Sequence, residues 1–293
     1  MRPATPHDGP AVAALAALAG GSGWWGVEQR TGPDRAGQCR HVEVDGDELV
    51  AYGCVWRRKQ AIFGLDILVH PQWRGRGLAG RLIDRLFEDL AAHGATAVEA
   101  RVDANHTDAL AFIVRRGFVE INRLERVRLD LDRAKIAEPT VEGVDIATLE
   151  EMRDAEGVSE LNALLTAAFR ERSLRYLEPF TETPLEDLVD DLDAAVAGGC
   201  FVARVGADVV GFSGLVQGRE PGTLVSFMTA VRPDHQRRGL ATALKQRAIA
   251  YAKQNGYRAI LAVSPNAAMQ ALHDKLGFLR HAPTEIRMGR RLQ

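Results

Sequence analysis

A glycine-rich segment in the first half of the chain reads Val69-His70-Pro71-Gln72-Trp73-Arg74-Gly75-Arg76-Gly77-Leu78-Ala79. It follows an apolar run at 65–69, which predicts a strand, and it precedes leucines at helical spacing over 78–90, which predict a helix. Backbone N–H groups at such a helix start have no intrahelical partner and bind anions. Gly77 has no Cβ, so an anion can approach the backbone closely, and Arg74 and Arg76 add positive charge. The stretch therefore predicts a phosphate-binding turn between a strand and a helix.

The stretch recurs 162 positions later (231 − 69 = 162) as Val231-Arg232-Pro233-Asp234-His235-Gln236-Arg237-Arg238-Gly239-Leu240-Ala241. A repeat of this length indicates a duplicated domain rather than a solenoid unit. The charged segment 133–143 contains Pro139 and lacks periodicity, which is typical of a linker. We therefore expect an N-terminal domain at 1–132 and a C-terminal domain at 144–293.

A dinucleotide-binding turn is the first alternative. From Gly75 to Gly80 the first copy matches the G-x-G-x-x-G fingerprint, with Glu99 near the position expected to bind ribose. The second copy has Arg237 and Thr242 in place of these two glycines. The repeat, and the hairpin-rich order before the turn, argue against a nicotinamide enzyme.

Both copies share the pattern R/Q-x-x-G-x-A, as Arg74…Gly77…Ala79 and Gln236…Gly239…Ala241. This resembles the Q/R-x-x-G-x-G/A pyrophosphate loop of the GNAT superfamily of acyl-CoA-dependent N-acetyltransferases. A second pair of signatures resembles the GNAT pattern N…(L/F)-Y-x-x-x-G-F: Asn105…Phe112…Gly117-Phe118 and Asn266…Leu272…Gly277-Phe278. The resemblance implies two tandem α/β (α+β) GNAT-like domains, each with a splayed, mixed, mostly antiparallel sheet flanked by helices.

The resemblance also implies acetyl-CoA as the co-substrate, bound where the sheet splays. It assigns cofactor binding to both turns and to the two asparagines: Val69, Arg74, Gly75, Arg76, Gly77, Leu78, Ala79, Asn105, Val231, Gln236, Arg237, Arg238, Gly239, Leu240, Ala241 and Asn266. In the family such an asparagine contacts the pantetheine arm. Each asparagine also stands where a helix N-cap is expected.

Catalysis in the family needs a proton for the leaving thiolate and deprotonation of the amine. The proton usually comes from the tyrosine of the closing helix, where this chain has Ile113 in the first half and His273 in the second. His273 can act as a general acid, or it is a half-exposed helix histidine. Asp66 offers a base before the first turn, or it is a solvated strand residue. At the corresponding place the second half offers Ser226, Met228 and Thr229.

These observations predict an N-acetyltransferase that moves an acetyl group to a primary amine of a small molecule, with the second half more active. The alternative is a non-catalytic acyl-CoA-binding or regulatory protein, since both halves lack the tyrosine. Seven carboxylates at 178–193 would favour a cationic amine, or form a solvated helix face. Trp24 and Trp25 would line a substrate mouth, or serve as packing anchors.

Composition sets the remaining expectations. The 293 residues carry a net charge of −2, which gives no global footprint for nucleic acid or an anionic membrane. No run is long enough to span a membrane, and no cysteine spacing suggests a metal site. Cys39 and Cys54 are equidistant from the turn at 46–47 and could face each other across a hairpin, as reduced thiols of a cytoplasmic protein. A monomer is expected, in which two fused copies supply the pairing that single-domain relatives obtain by dimerising.

Overall fold

A computed structural model of the protein describes residues 1–20, 36–59, 61–137, 139–151, 159–161, 163–168, 195–218, 220–264 and 266–292. Trp24, Trp25 and the acidic run at 178–193 lie outside these residues. The chain divides into two compact units. Among the described residues, the first unit contains Met1–Arg123 and the C-terminal segment that begins at Glu285, and the second lies between Leu124 and Thr284.

The strands, in chain order, are β1 (Arg2–Pro3), β2 (Cys39–Asp45), β3 (Glu48–Lys59), β4 (Ile62–Val69), β5 (Ala97–Asp103), β6 (Val119–Asp130), β7 (Asp145–Thr148), β8 (Phe201–Val205), β9 (Asp208–Gln217), β10 (Thr223–Val231), β11 (Ala259–Ser264), β12 (Leu279–Arg280) and β13 (Glu285–Arg291). The longer helices are α1 (Gly9–Ala19), α2 (Leu78–Ala92), α3 (Thr107–Arg115), α4 (Leu240–Gln254) and α5 (Ala267–Lys275). Residues 159–161 and 163–168 are also helical. None of the helices in the described residues is long and apolar enough to cross a bilayer.

The helix α2 forms because its apolar residues recur at helical spacing and bury one face. Leu82, Ile83, Leu86 and Leu90 on this face are fully buried. They pack on β3 and β4, and α4 packs on β9 and β10 in the same way. Each of these helices connects two parallel strands, as a crossover must.

The sheet pairing confirms the predicted mixed, mostly antiparallel architecture. Among the described strand pairs, only β4–β5 and β10–β11 are parallel. The β4–β5 ladder covers only Ile62–Leu65, and the β10–β11 ladder covers only Thr223–Ser226. Both β4 and β10 continue beyond these ladders, to Val69 and Val231. Each sheet therefore splays immediately before its glycine-rich turn.

Each compact unit contains strand residues from the other half of the sequence, namely β13 in the first unit and the part of β6 from Leu124 onward in the second. In the first unit β13 pairs antiparallel with β5, with Arg287 opposite Arg101. In the second unit β6 pairs antiparallel with β11, with Arg128 opposite Leu261. The units therefore differ from a linear division into 1–132 and 144–293 by the reciprocal exchange of one strand.

The expectation that Cys39 and Cys54 face each other is wrong. The β2–β3 ladder contains a bulge near its turn, which shifts the register by one residue. Cys39 consequently lies opposite Val55, and Cys54 lies opposite Arg40. A shift of one residue sends a side chain to the other face of the sheet. None of the three cysteines, all of which lie in the described residues, forms a disulfide.

Candidate active site

The first glycine-rich turn leads from β4 into α2 and leaves the start of that helix open. Gly77 is the N-cap residue, in the left-handed region at φ 78°, and no side chain of the described residues caps the helix. The first amides of α2 are therefore suited to binding an anion. A Cβ built on Gly75 would meet no atom within 4 Å, so the space beside the turn is open.

Two arginines of this turn are held by specific contacts. The guanidinium of Arg76 lies over Trp73, 4.4 Å from the ring centroid. Arg74 donates from Nη2 to the carbonyl oxygen of Ala19 at 3.0 Å, at the C-terminus of α1. A cation at that end of a helix interacts favourably with its dipole. The turn thus combines open helix amides with positioned positive charge.

The second turn, between β10 and α4, has the same plan. Gly239 is the N-cap residue at φ 84°, again with no side-chain cap among the described residues. A Cβ on Gly239 would also meet no atom within 4 Å. Gln236 donates from Nε2 to the carbonyl oxygen of Val231 at 3.0 Å, which ties the turn to the end of its strand.

The backbone of the turn is retained even where its residues differ. Gly75 has φ 76°, and Arg237, which takes its place in the repeat, has φ 62°. Arg237 is the one non-glycine residue with positive φ among those described. This conformation costs an L-residue about 1–2 kcal/mol, and such strain tends to persist at functional sites. The second half therefore keeps the shape of an anion cradle at a cost in stability.

A bulge in β10 marks the point where this strand parts from β11. Ser226 ends the parallel ladder, and Met228 is the next residue to pair with β9, so Phe227 is extra. A bulge leaves its extra residue outside the ladder and redirects neighbouring side chains, often beside an active site. On β4 the ladder with β3 runs without a shift over 64–69. The two halves therefore differ at the centre of the splay.

Asp66 is the first residue of β4 beyond the β4–β5 ladder. It is half-buried and lies opposite Cys54 on β3. Burial is the main cause that raises the pKa of the Cys54 thiol to about 11, and the charge of Asp66 adds to it. Leu68, two residues on, packs in the cluster that includes α1. Asp66 therefore lies on the α1 side of the sheet, beside buried polar groups.

His273 is buried, with 2% of its surface accessible, so the alternative of a half-exposed helix histidine is wrong. Its ring lies 4.8 Å from that of Phe278, and its Nε2 is buried with no hydrogen-bond partner in the described part of the chain. Burial, and then the nearby Lys245 ammonium, lowers the pKa of His273 to about 3. At neutral pH the ring is uncharged, so it carries a hydrogen-bond donor but no acidic imidazolium proton.

Lys245 is a buried charged residue that the motifs of the sequence do not include. It lies on α4 with 4% of its surface accessible, and its Nζ donates to Oγ of Ser226 at 2.8 Å. Burial lowers the pKa of Lys245 to about 8. The available signal was the repeat itself, because Lys245 stands 162 positions after Ile83, on the apolar face of the equivalent helix.

The two family asparagines have different local roles. Asn266 is the N-cap of α5, and its Oδ1 accepts from the amides of Ala268 at 2.9 Å and Met269 at 3.4 Å. The N-cap of α3 is His106, not Asn105, so the expected cap at Asn105 is wrong. The first copy has one residue more between asparagine and glycine, and this moves the helix start by one position.

The comparisons with known proteins agree with this geometry. The model of the acetyltransferase (GNAT) family matches residues 24–118 and 161–278. The chain belongs to this family, and it is accordingly an acetyltransferase that uses acetyl-CoA. The matched residues include both glycine-rich turns.

Proteins named mycothiol acetyltransferase are similar in sequence along most of the chain. One from Thermobispora bispora is 28% identical, over 94% of this chain and 94% of its own. One from Rhodococcus opacus is 27% identical, over 87% of this chain and 84% of its own.

Solved structures show the same fold. A GCN5-related N-acetyltransferase from Sphaerobacter thermophilus superposes with a TM-score of 0.77 at 20% identity, over 99% of this chain and 94% of that one. A tandem GNAT protein from the clavulanic acid biosynthesis pathway gives 0.66 at 20% identity, over 99% and 97%.

Proposed function

We propose that the second half of the chain transfers the acetyl group of acetyl-CoA to a primary amine of a small molecule. The observation that carries this proposal is the bulge at Phe227, beside the half-buried Ser226 and the buried polar side chains of Lys245 and His273. The first half has an unshifted strand at the same place. A site that must stabilise charge during reaction needs such polar groups, whereas a domain that only binds does not.

The residues of the second turn are suited to hold acetyl-CoA, which supplies the activated acetyl group. The open amides beginning at Gly239 would take the pyrophosphate, and Arg237 and Arg238 would add positive charge. Asn266 has its oxygen engaged as a helix cap, so its amide N–H group is the part left for the pantetheine arm. The first turn, with Arg74 and its neighbours, would bind a second molecule with a different affinity.

Two groups of the second half would act on the reacting atoms. The bulge at Phe227 frees a backbone amide from the ladder, and a preorganised amide of this kind polarises a thioester carbonyl. His273, uncharged at neutral pH, would donate a hydrogen bond from its unpartnered Nε2 rather than act as an imidazolium acid. We therefore revise its role from general acid to hydrogen-bond donor.

The relatives are named for mycothiol, so a mycothiol-related amine is the first acceptor to assay. We expect acetyl-CoA-dependent thiol release with that amine, faster than with a panel of unrelated primary amines, and the acetylated product identified by mass. Thiol release without any acceptor dependence would contradict the proposal. A cytoplasmic location stays a prediction. The monomeric state also stays a prediction, and light scattering would test it.

Asp66 is the competing candidate and gives the first half a base. Replacing His273 by Ala should lower turnover with little change in acetyl-CoA affinity, and Ile113→Ala should do much less. If Asp66→Asn removes turnover while His273→Ala leaves it intact, the catalytic half is the first one. Initial rates of the purified variants at matched acetyl-CoA concentrations decide between these outcomes.

A further inference from the structure

Three polar residues of the second half, two of them buried and one half-buried, stand where the first half is apolar. The first half has Leu65, Ile83 and Ile113, all buried in one hydrophobic cluster. The equivalents in the second half are Ser226, Lys245 and His273, matched by the end of the parallel ladder, the turn repeat and the glycine-phenylalanine signature.

Ser226 lies at the splay of the second half, and the other two polar residues lie near it. Ser226 is the last residue of the β10–β11 ladder, directly before the bulge. Leu224 stands two residues earlier on the same strand and packs in the hydrophobic cluster that includes residues of α4. Side chains two residues apart on a strand lie on the same face, so Ser226 also points to the face that α4 covers. Lys245 on α4 donates a hydrogen bond to Ser226. The charge of Lys245 also contributes to the lowered pKa of His273 on α5.

A buried lysine with a hydroxyl as its partner is an expensive arrangement. An ammonium removed from water is stabilised well by a carboxylate, and only weakly by a neutral oxygen. An apolar residue fits the same helix position, as Ile83 demonstrates. Groups that are costly to bury and whose pKa lies near neutrality are candidates for proton transfer.

We propose that Ser226 and Lys245 form a proton relay to the sulfur of acetyl-CoA, an inference that rests on the proposed function of the second half. As the acceptor nitrogen bonds to the acetyl carbon, the carbon–sulfur bond breaks and the sulfur leaves with both electrons. Ser226 gives its hydroxyl proton to that sulfur, and the Lys245 ammonium returns a proton to the serine oxygen. Solvent takes the proton that the amine loses and later restores the one lost by Lys245. Ser226 is the donor, and Lys245 is the positioning residue that supplies it.

The kinetic test compares Ser226→Ala and Lys245→Met with Ile83→Met, the matched helix position of the first half. General-acid assistance is typically worth about 10²–10⁴-fold in rate. We expect kcat to fall by that order in both second-half variants with KM for acetyl-CoA nearly unchanged, whereas Ile83→Met keeps kcat within about twofold. Lys245→Arg should not restore kcat, because an arginine cannot give up its proton in a protein.

A second measurement needs no turnover. The groups that face Lys245 from the neighbouring described elements are Ser226 on β10 and His273 on α5, and His273 is uncharged above about pH 3. Between about pH 8 and pH 10.5 the unfolded chain binds more protons at Lys245 than the folded chain does. Lys245 alone should therefore raise the thermal midpoint of the wild-type protein across this range, relative to Lys245→Met, because every other titrating group is common to both proteins. Lys245→Met should have the higher midpoint at pH 7, and this difference should shrink as the pH rises from about 8 to about 10.5.

The outcomes separate the relay from the function on which it rests. A lower midpoint for Lys245→Met, or failure of this variant to fold, gives Lys245 a structural role and overturns the relay. Wild-type kcat in Lys245→Met also overturns it. If Gly239→Asp still abolishes turnover in that case, the second half remains the catalytic one. If Gly239→Asp retains turnover, the proposed function fails as well.

Discussion

The two halves fill the equivalent space beside the splay with side chains of different polarity. In the first half this space holds Leu65, Ile83 and Ile113. Full burial of each such side chain contributes roughly 1.5–3 kcal/mol to stability. In the second half this space holds Lys245 with a serine and a histidine, and burial of a poorly paired ammonium costs several kcal/mol. The comparison teaches that the copies have diverged at their centre while retaining the phosphate turn. One centre is apolar, and the other is polar.

The largest effect should come from placing a carboxylate in the turns. Gly239→Asp sets a negative charge against the pyrophosphate and forces an L-residue to φ 84°. We expect loss of acetyl-CoA binding in the second half and loss of turnover. Gly77→Asp should remove the binding event of the first half, with a smaller loss of turnover.

Calorimetric titration of both variants with CoA checks this pair. The wild-type protein should bind two molecules with different affinities, and each variant should bind one. Two remaining sites in Gly239→Asp would refute the assignment of the second turn.

A smaller effect concerns stability at acidic pH, where α5, which carries His273, should differ from α3, which carries Ile113. The pKa of His273 is about 3 in the folded protein and about 6.5 when the side chain is exposed to water in the unfolded chain. The unfolded chain therefore binds an extra proton between these values, and the free energy of unfolding falls as the pH decreases below 6.5. The slope is at most about 1.4 kcal/mol per pH unit. His273→Leu should reduce this dependence, and Ile113→Leu should leave it unchanged.

Urea unfolding at several pH values between 4 and 7 measures these slopes. An equal slope in His273→Leu and in the wild-type protein would show that His273 titrates normally, in conflict with its burial.

The smallest effect tests the helix caps. Asn266→Ala removes an acceptor for two amides at the start of α5 and should cost about 1 kcal/mol of unfolding free energy. Asn105→Ala should cost much less, because His106 is the N-cap of α3. Chemical denaturation at pH 7 provides both values, and a larger loss for Asn105→Ala would reverse the comparison.

The local signals in the sequence predicted much of this architecture. The repeat around Gly77 and Gly239 identified both helix starts, because a glycine-rich turn between a strand and a helix is a short-range pattern. The apolar run before each turn identified β4 and β10. The splay followed from the family resemblance carried by these turns.

The features that depend on register or on distant pairing were not predictable. The bulge at Phe227 changes the pairing by one residue, and no short pattern in Thr223–Val231 marks it. The faces of Cys39 and Cys54 were misjudged for the same reason. Lys245 interrupts the apolar face of α4, but its burial depends on β10 and α5. Sequence order assigns β6 and β13 to their own halves, whereas pairing assigns each to the other unit.

The exchanged strands carry a consequence for how such a gene can evolve. A deletion that removed the second copy would take β13 (Glu285–Arg291) from the first unit, and a deletion of the first copy would take β6 (Val119–Asp130) from the second. Neither copy can be discarded while the other keeps a complete sheet. The interior of one copy can therefore change, as Ile83 and Ile113 illustrate, while that copy must still be inherited with its partner.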